Sequence, residues 1–133
     1  MGRKIIKVSK ILASPREVYE ALTNKDTMKI WSGDDVINEN KEGGTFSLWG
    51  GSIHGVNTKL SPSQILQDWK EESWETYSKV AFNISSEGVA TRLELVHEEV
   101  PDASYEDIDS GWDNYYFEPI KKLLEKQSST FIK

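Results

Sequence analysis

The chain has 133 residues, a length that fits one domain, with 37% hydrophobic and 29% charged residues, a balance that supports a folded core. It has no cysteine, which excludes disulfides and thiolate metal sites, and its net charge of −6 argues against a phosphate-backbone partner, so no nucleic acid is expected. No stretch approaches the roughly 20 apolar residues of a membrane span. The first ten residues alternate lysine with isoleucine and valine rather than forming a leader, so the cytoplasm is the expected compartment.

Residues 4–12 read as a strand rich in β-branched side chains. Ser14-Pro15-Arg16-Glu17 then carries a helix start: a capping serine, a proline suited to the first turn, and a glutamate three residues on that can reach back. Val18, Ala21 and Leu22 form its apolar face, and Thr23-Asn24 ends it. A second short helix is expected over 25–31, with Met28 and Trp31 at helical spacing.

Beyond Ser32 the pattern changes to period two. Gly43-Gly44 and Gly50-Gly51 mark turns around a strand at 45–49, whose Phe46 and Leu48 share a face. Strands follow at 53–60, 64–69, 76–85 and 90–98. Ile65, Gln67 and Trp69 are in phase, as are Val80, Phe82 and Ile84, and Thr91, Leu93, Leu95 and His97. Short turns between consecutive strands imply an antiparallel meander.

Pro101 closes the sheet region, and an acidic stretch leads into a long helix over 111–127. Trp112, Tyr115, Tyr116, Ile120, Leu123 and Leu124 recur there at three- and four-residue steps. Pro119 lies inside this pattern and removes the N–H that would bond the Tyr115 carbonyl, so a kink is expected. Residues 127–133 are expected to be a frayed tail. The whole reads as one α+β domain, with a curved antiparallel sheet around the C-terminal helix and two short helices after the first strand.

Catalytic signatures are weak. No Gly-x-Ser-x-Gly turn occurs, and Gly50-Gly51-Ser52 reads as a turn before a strand rather than a phosphate cradle. His54 and His97 are too few for a typical zinc site, so no metal and no cofactor are expected. His97, in phase with Leu93 and Leu95, reads as a core histidine satisfied by a backbone carbonyl, or as a polar contact or acid/base group inside a cavity. Five tryptophans spread along the chain suggest an aromatic-rich core or a lined cavity. The candidate cavity set is Trp31, Phe46, Leu48, Trp69, Phe82, Leu93, Leu95, His97, Trp112, Tyr116 and Ile120. The acidic residues Glu98, Glu99, Asp102, Glu106, Asp107 and Asp109 form a candidate docking surface for a basic partner, or a solvated run that favours the helix N-terminus.

The run Gly43-Gly44-Thr45-Phe46, Gly50-Gly51-Ser52-Ile53, Gln67-Asp68-Trp69 and Trp74, with Gly111-Trp112-Asp113-Asn114-Tyr115-Tyr116-Phe117 near the end, resembles the activator of heat shock protein 90 ATPase homologue family, C-terminal-domain type. That family is a branch of the START-like, or helix-grip, superfamily. The resemblance covers nearly the whole chain, with Pro119 standing where the family often has a small residue. It implies a sheet gripping a C-terminal helix and, from superfamily relatives, a small hydrophobic ligand held between them without catalysis. It also implies an alternative role as a chaperone-interaction module in a stress response, and a second as a cyclase-type enzyme using His97 or a tyrosine. In the family's eukaryotic co-chaperones an additional N-terminal domain provides most of the chaperone contact.

Overall fold

The computed structural model describes residues 2–132, and side chains as far as Lys126. Seven strands form one sheet: β1 (Gly2–Ile11), β2 (Val36–Asn38), β3 (Thr45–Leu48), β4 (Ile53–Ser61), β5 (Gln64–Glu71), β6 (Ser78–Glu87) and β7 (Ala90–Pro101). Their order is β1-β7-β6-β5-β4-β3-β2, and every neighbouring pair is antiparallel. The meander thus runs from β2 to β7, and β1 closes beside β7 at the far edge.

Between β1 and β2 lie α1 (Pro15–Thr23) and α2 (Lys25–Ser32). The expected capping box is present: Ser14 Oγ accepts from Glu17 N at 3.2 Å, and Glu17 Oε1 accepts from Ser14 N at 2.9 Å. Asn24 both ends α1 and caps α2, its side-chain oxygen accepting from Asp26 N and Thr27 N. Trp31 Nε1 donates to Ala21 O at 2.7 Å and locks the two helices together.

After β7, α3 (Tyr105–Gly111), a π-helical turn (Trp112–Phe117) and α4 (Glu118–Ile132) follow without a break in helical backbone. The buried residues Ile108, Trp112, Tyr116, Ile120 and Leu124 are spaced by four. Each four-residue step overshoots an α-helical turn by about 40°, so four steps would carry the stripe roughly 160° round the axis. The wider π turn takes back part of that drift and keeps Trp112 and Ile120 facing the same sheet. Its wide bond runs from Glu118 N to Asp113 O, immediately before Pro119, the residue that cannot bond the Tyr115 carbonyl. The irregularity expected at the proline is therefore a π turn just upstream of it. The frayed tail expected over 127–133 falls on side chains outside the described residues.

The core lies between the inner sheet face and the helices. Every inward phase read from the sequence is found: Ile65, Gln67 and Trp69; Val80, Phe82 and Ile84; and Thr91, Leu93, Leu95 and His97 are all buried. Lys7 ties β1 to the C-terminal helix, reaching Asp113 at 2.8 Å and Asp109 at 3.2 Å. Strand β2 carries no signal in the sequence, because its three residues follow Asp34-Asp35 and are too few to show alternation. It is held from inside by an amide chain, Gln67 Nε2 to Asn57 Oδ1 (3.0 Å) and Asn57 Nδ2 to Asn38 Oδ1 (3.1 Å).

Candidate functional site

The middle of the grip is filled. His97 is fully buried and uses both ring nitrogens. Trp112 Nε1 donates to Nδ1 at 3.0 Å, so Nδ1 carries the lone pair and Nε2 the proton. Nε2 meets Ser78 Oγ at 2.7 Å, and that hydroxyl donates to Trp69 O at 2.6 Å. Burial depresses the His97 pKa to about 3, so the ring is neutral at ordinary pH. The partners are two side chains rather than the backbone carbonyl expected from the sequence. Phe82, Leu93, Leu95 and Ile120 are buried around this chain, and Phe46, Leu48 and Trp31 are buried nearer the β3 edge.

The hollow part of the grip lies at one end. A pocket of about 350 Å³ opens where α3 and the π turn pass over the β3–β4 connection. Its sheet side is Trp49, Ser52, Ile53, Trp69 and Glu71, and its helix side is Asp107, Ile108, Gly111, Trp112, Tyr115 and Tyr116. Of the cavity set read from the sequence, Trp69, Trp112 and Tyr116 stand on this wall; the other eight pack in the core around it. The rings are interlocked: Trp112 and Tyr116 lie 4.4 Å apart, Trp69 and Trp112 stack at 5.3 Å, and Trp49 meets Tyr116 edge-on at 5.8 Å. A larger depression, about 670 Å³, lies by the β6–β7 hairpin, but its lining from Leu12 to Glu125 includes no aromatic ring.

Trp49 is the wall residue the sequence pattern misplaces. Strict alternation after Phe46 and Leu48 points it away from the core. The strand ends at Leu48, and Trp49, Gly50 and Gly51 all take positive φ, at 51°, 68° and 94°. That left-handed step swings the indole against Trp31, Tyr115 and Tyr116, where Nε1 donates to Ser32 O at 3.0 Å. A tryptophan in this backbone region costs on the order of 1–2 kcal/mol, which the packing and the hydrogen bond offset. Glu71 could have been found: it continues the inward phase of Gln67 and Trp69. Gly111, Ser52 and Ile53 carry no such signal.

Burial holds the Tyr116 phenol well above its ordinary pKa, and the nearby Trp69 indole N–H offsets this only in part. Trp69 Nε1 is buried beside the Tyr116 hydroxyl.

The acidic stretch is partly neutralised. Glu98 faces Lys4 at 3.4 Å, Asp102 faces Arg3 at 3.9 Å, and Asp109 shares Lys7. Glu99 and Glu106 are exposed, and Asp107 stands at the pocket. Among the described residues no helix is long and apolar enough to cross a membrane.

A seven-stranded antiparallel sheet with two short helices after the first strand and a long C-terminal helix across its inner face defines a helix-grip, START-like domain. Residues 12–125 match the family described as activator of Hsp90 ATPase homolog 1-like protein, and the chain belongs to that family. It is 35% identical over 122 residues to the activator of 90 kDa heat shock protein ATPase homolog of Dictyostelium discoideum, an alignment covering 89% of this chain and 32% of the relative. The chain thus spans about a third of the length of that relative. The crystal structure of an HSP90 activator from Plasmodium falciparum superposes with a TM-score of 0.87 at 26% identity, covering 92% of this chain and 96% of the other. CalU16 from Micromonospora echinospora superposes with a TM-score of 0.80 at 25% identity, covering 92% of this chain and 74% of the other.

Proposed function

We propose that this domain binds a small apolar molecule in the aromatic pocket between the C-terminal helix and the β3–β4 connection. The observation that carries this reading is how the space is kept open. Gly111 stands on the helix side in ordinary helical geometry (φ −63°), where a Cβ would meet only Tyr115 at 3.7 Å, and Trp49 is held opposite in a strained turn. A volume of about 350 Å³ lies in the lower part of the range for small-molecule sites. His97, committed on both nitrogens and away from the pocket wall, offers no free acid or base to a bound molecule, which favours holding over turnover.

The test is to plug the pocket from its unfilled side. Gly111→Leu places an apolar side chain into the space without removing any contact. Titration with flat aromatic probes, followed by tryptophan emission, should saturate for wild type at micromolar concentrations and stay flat for the variant, whose thermal stability is retained. Equal binding by both proteins would move the ligand elsewhere, and no binding by either would remove the reading.

A second reading rests on the family and the acidic stretch. The relatives are described as activators of the 90 kDa heat shock protein ATPase, and among the described residues Glu99, Glu106 and Asp107 are exposed and in no ion pair, Asp107 standing at the pocket. This reading expects the domain to associate with a 90 kDa chaperone more strongly at low than at high salt. Absence of association at low salt by the folded domain would reject it.

A further inference from the structure

Five of the eleven residues on the pocket wall are aromatic, and several of their rings meet at wide angles. Trp49 stands at 68° to Tyr115 and at 73° to Tyr116, with centroids 6.2 Å and 5.8 Å apart. Tyr116 in turn meets Trp112 at 51°. Rings set this way form corners, the arrangement in which aromatic cages turn electron-rich faces toward a cation. Such a wall also takes neutral hydrocarbon, so the rings alone do not fix the charge of the occupant.

The carboxylates on the wall do. Glu71 and Asp107 stand there with no lysine, arginine or histidine. Among the described residues neither is in an ion pair; Glu71 Oε1 accepts from Ser73 Oγ at 2.9 Å. Lys70 follows the strand alternation to the other face of β5, where its ammonium stands 5.5 Å from the centre of the Tyr77 ring. Asp107 is exposed and screened by water, whereas Glu71 is half-buried and acts through a lower dielectric. A negative ligand would enter against like charge with nothing to neutralise it, while a positive one gains the carboxylates as well as the rings.

The wall also selects the kind of cation. A primary ammonium carries three N–H donors and holds its water tightly, and here it would exchange that water mostly for rings. An alkylated ammonium has few or no donors, spreads its charge over its alkyl groups and sheds water cheaply. We infer that the ligand is an apolar molecule bearing one alkylated ammonium group, held between the Trp49–Tyr115–Tyr116 corners and the Glu71 and Asp107 carboxylates. This rests on the pocket being a ligand site and specifies what that site selects. Fatty acids and aromatic acids are selected against.

Benzyltrimethylammonium and neopentylbenzene differ by one nitrogen for one carbon, so they share a shape and differ in charge. Calorimetric titration of the whole chain should rank the cation about tenfold tighter than its neutral isostere, with benzylammonium weaker than the trimethyl compound and 3-phenylpropanoate weakest of all. Glu71→Gln combined with Asp107→Asn should cut the cation's lead to about threefold or less. Glu87→Gln combined with Glu118→Gln, at two exposed carboxylates off the wall, changes the net charge equally and should leave the lead near its wild-type value. If the first pair does not fold, Asp107→Asn against Glu118→Gln makes the same comparison. Equal affinity for cation and isostere, with both lost in Gly111→Leu, would overturn the cation assignment and leave the pocket standing. Equal loss in the two double variants would overturn the role of the wall carboxylates. Tightest binding by benzylammonium would overturn the alkylated group, and tightest binding by 3-phenylpropanoate the charge argument. Failure of every probe to bind would overturn the pocket itself and the inference with it.

Discussion

Trp112 Nε1 donates to His97 Nδ1 across 3.0 Å, joining the π turn of the C-terminal helix to β7. Because an indole N–H can only donate, this contact decides where the histidine proton sits, and the proton in turn orients Ser78 and the Trp69 carbonyl. One directed chain therefore links the helix to β7, β6 and β5. It sets the height and rotation of the helix over the sheet, and with it the position of the ring that forms the pocket floor.

Breaking that chain at the helix should be expensive. Trp112→Phe keeps an aromatic ring but removes the donor, leaving a fully buried Nδ1 without a partner. The expected loss is about 2–4 kcal/mol, combining the orphaned acceptor with the lost ring volume. Urea unfolding measures it. A loss below about 1 kcal/mol would mean that the bond contributes little and that the helix is placed by packing alone.

Gly55 occupies the other side of the pocket's support. It pairs with Phe46 on β3 and with Trp69 on β5, and a Cβ there would lie 1.8 Å from the Asp68 carbonyl and 2.9 Å from the Phe46 ring. The nearest obstacle is backbone and cannot rotate away. Gly55→Ala should cost more than about 3 kcal/mol or prevent folding. Circular dichroism and soluble yield report it, and a stable, cooperative variant would show that the sheet can open locally.

Gly111→Ala has the opposite sign. The backbone is already helical and the new methyl meets only Tyr115, so the entropy saved in the unfolded chain should stabilise the domain by about 0.5–1 kcal/mol. Ser14→Ala, which removes the capping acceptor of α1, should destabilise by about 0.5–2 kcal/mol. Thermal melts of both variants beside the wild type check the two signs together. A destabilised Gly111→Ala would mean that the space over the helix is not free.

The architecture was legible because it rests on local chemistry: Ser14 and Glu17 spaced for a box, glycine pairs at turns, and period-two phases in β5, β6 and β7. The pocket was legible only in part. Trp69, Trp112 and Tyr116 could be picked out because they follow regular alternation or helical spacing. Trp49 could not, since a left-handed residue reverses the side alternation assigns it. Gly111 has no side chain to signal its role. The long helix was read with a kink at Pro119 and not with the π turn, because Ile108, whose burial with Trp112, Tyr116, Ile120 and Leu124 calls for that turn, lies before the stretch read as helix.

The buried histidine also makes stability depend on pH. Burial lowers the folded-state pKa of His97 to about 3, against about 6.5 in an unfolded chain. Between these values the unfolded chain takes up a proton that the folded chain refuses, so acid favours unfolding. The contribution is fully present above about pH 6.5 and is lost as pH falls toward 3, with a slope of up to about 1.4 kcal/mol per unit. Carboxylates add their own acid dependence, so the measurement has to be a difference. His97→Gln supplies an amide oxygen for Trp112 and an N–H for Ser78 but has no proton to gain. From pH 6.5 to 4.5 the wild type should lose about 2–3 kcal/mol more than this variant in urea unfolding. Parallel losses would mean that the folded protein takes up the His97 proton as readily as the unfolded chain, and that the bond from Trp112 does not hold the ring neutral.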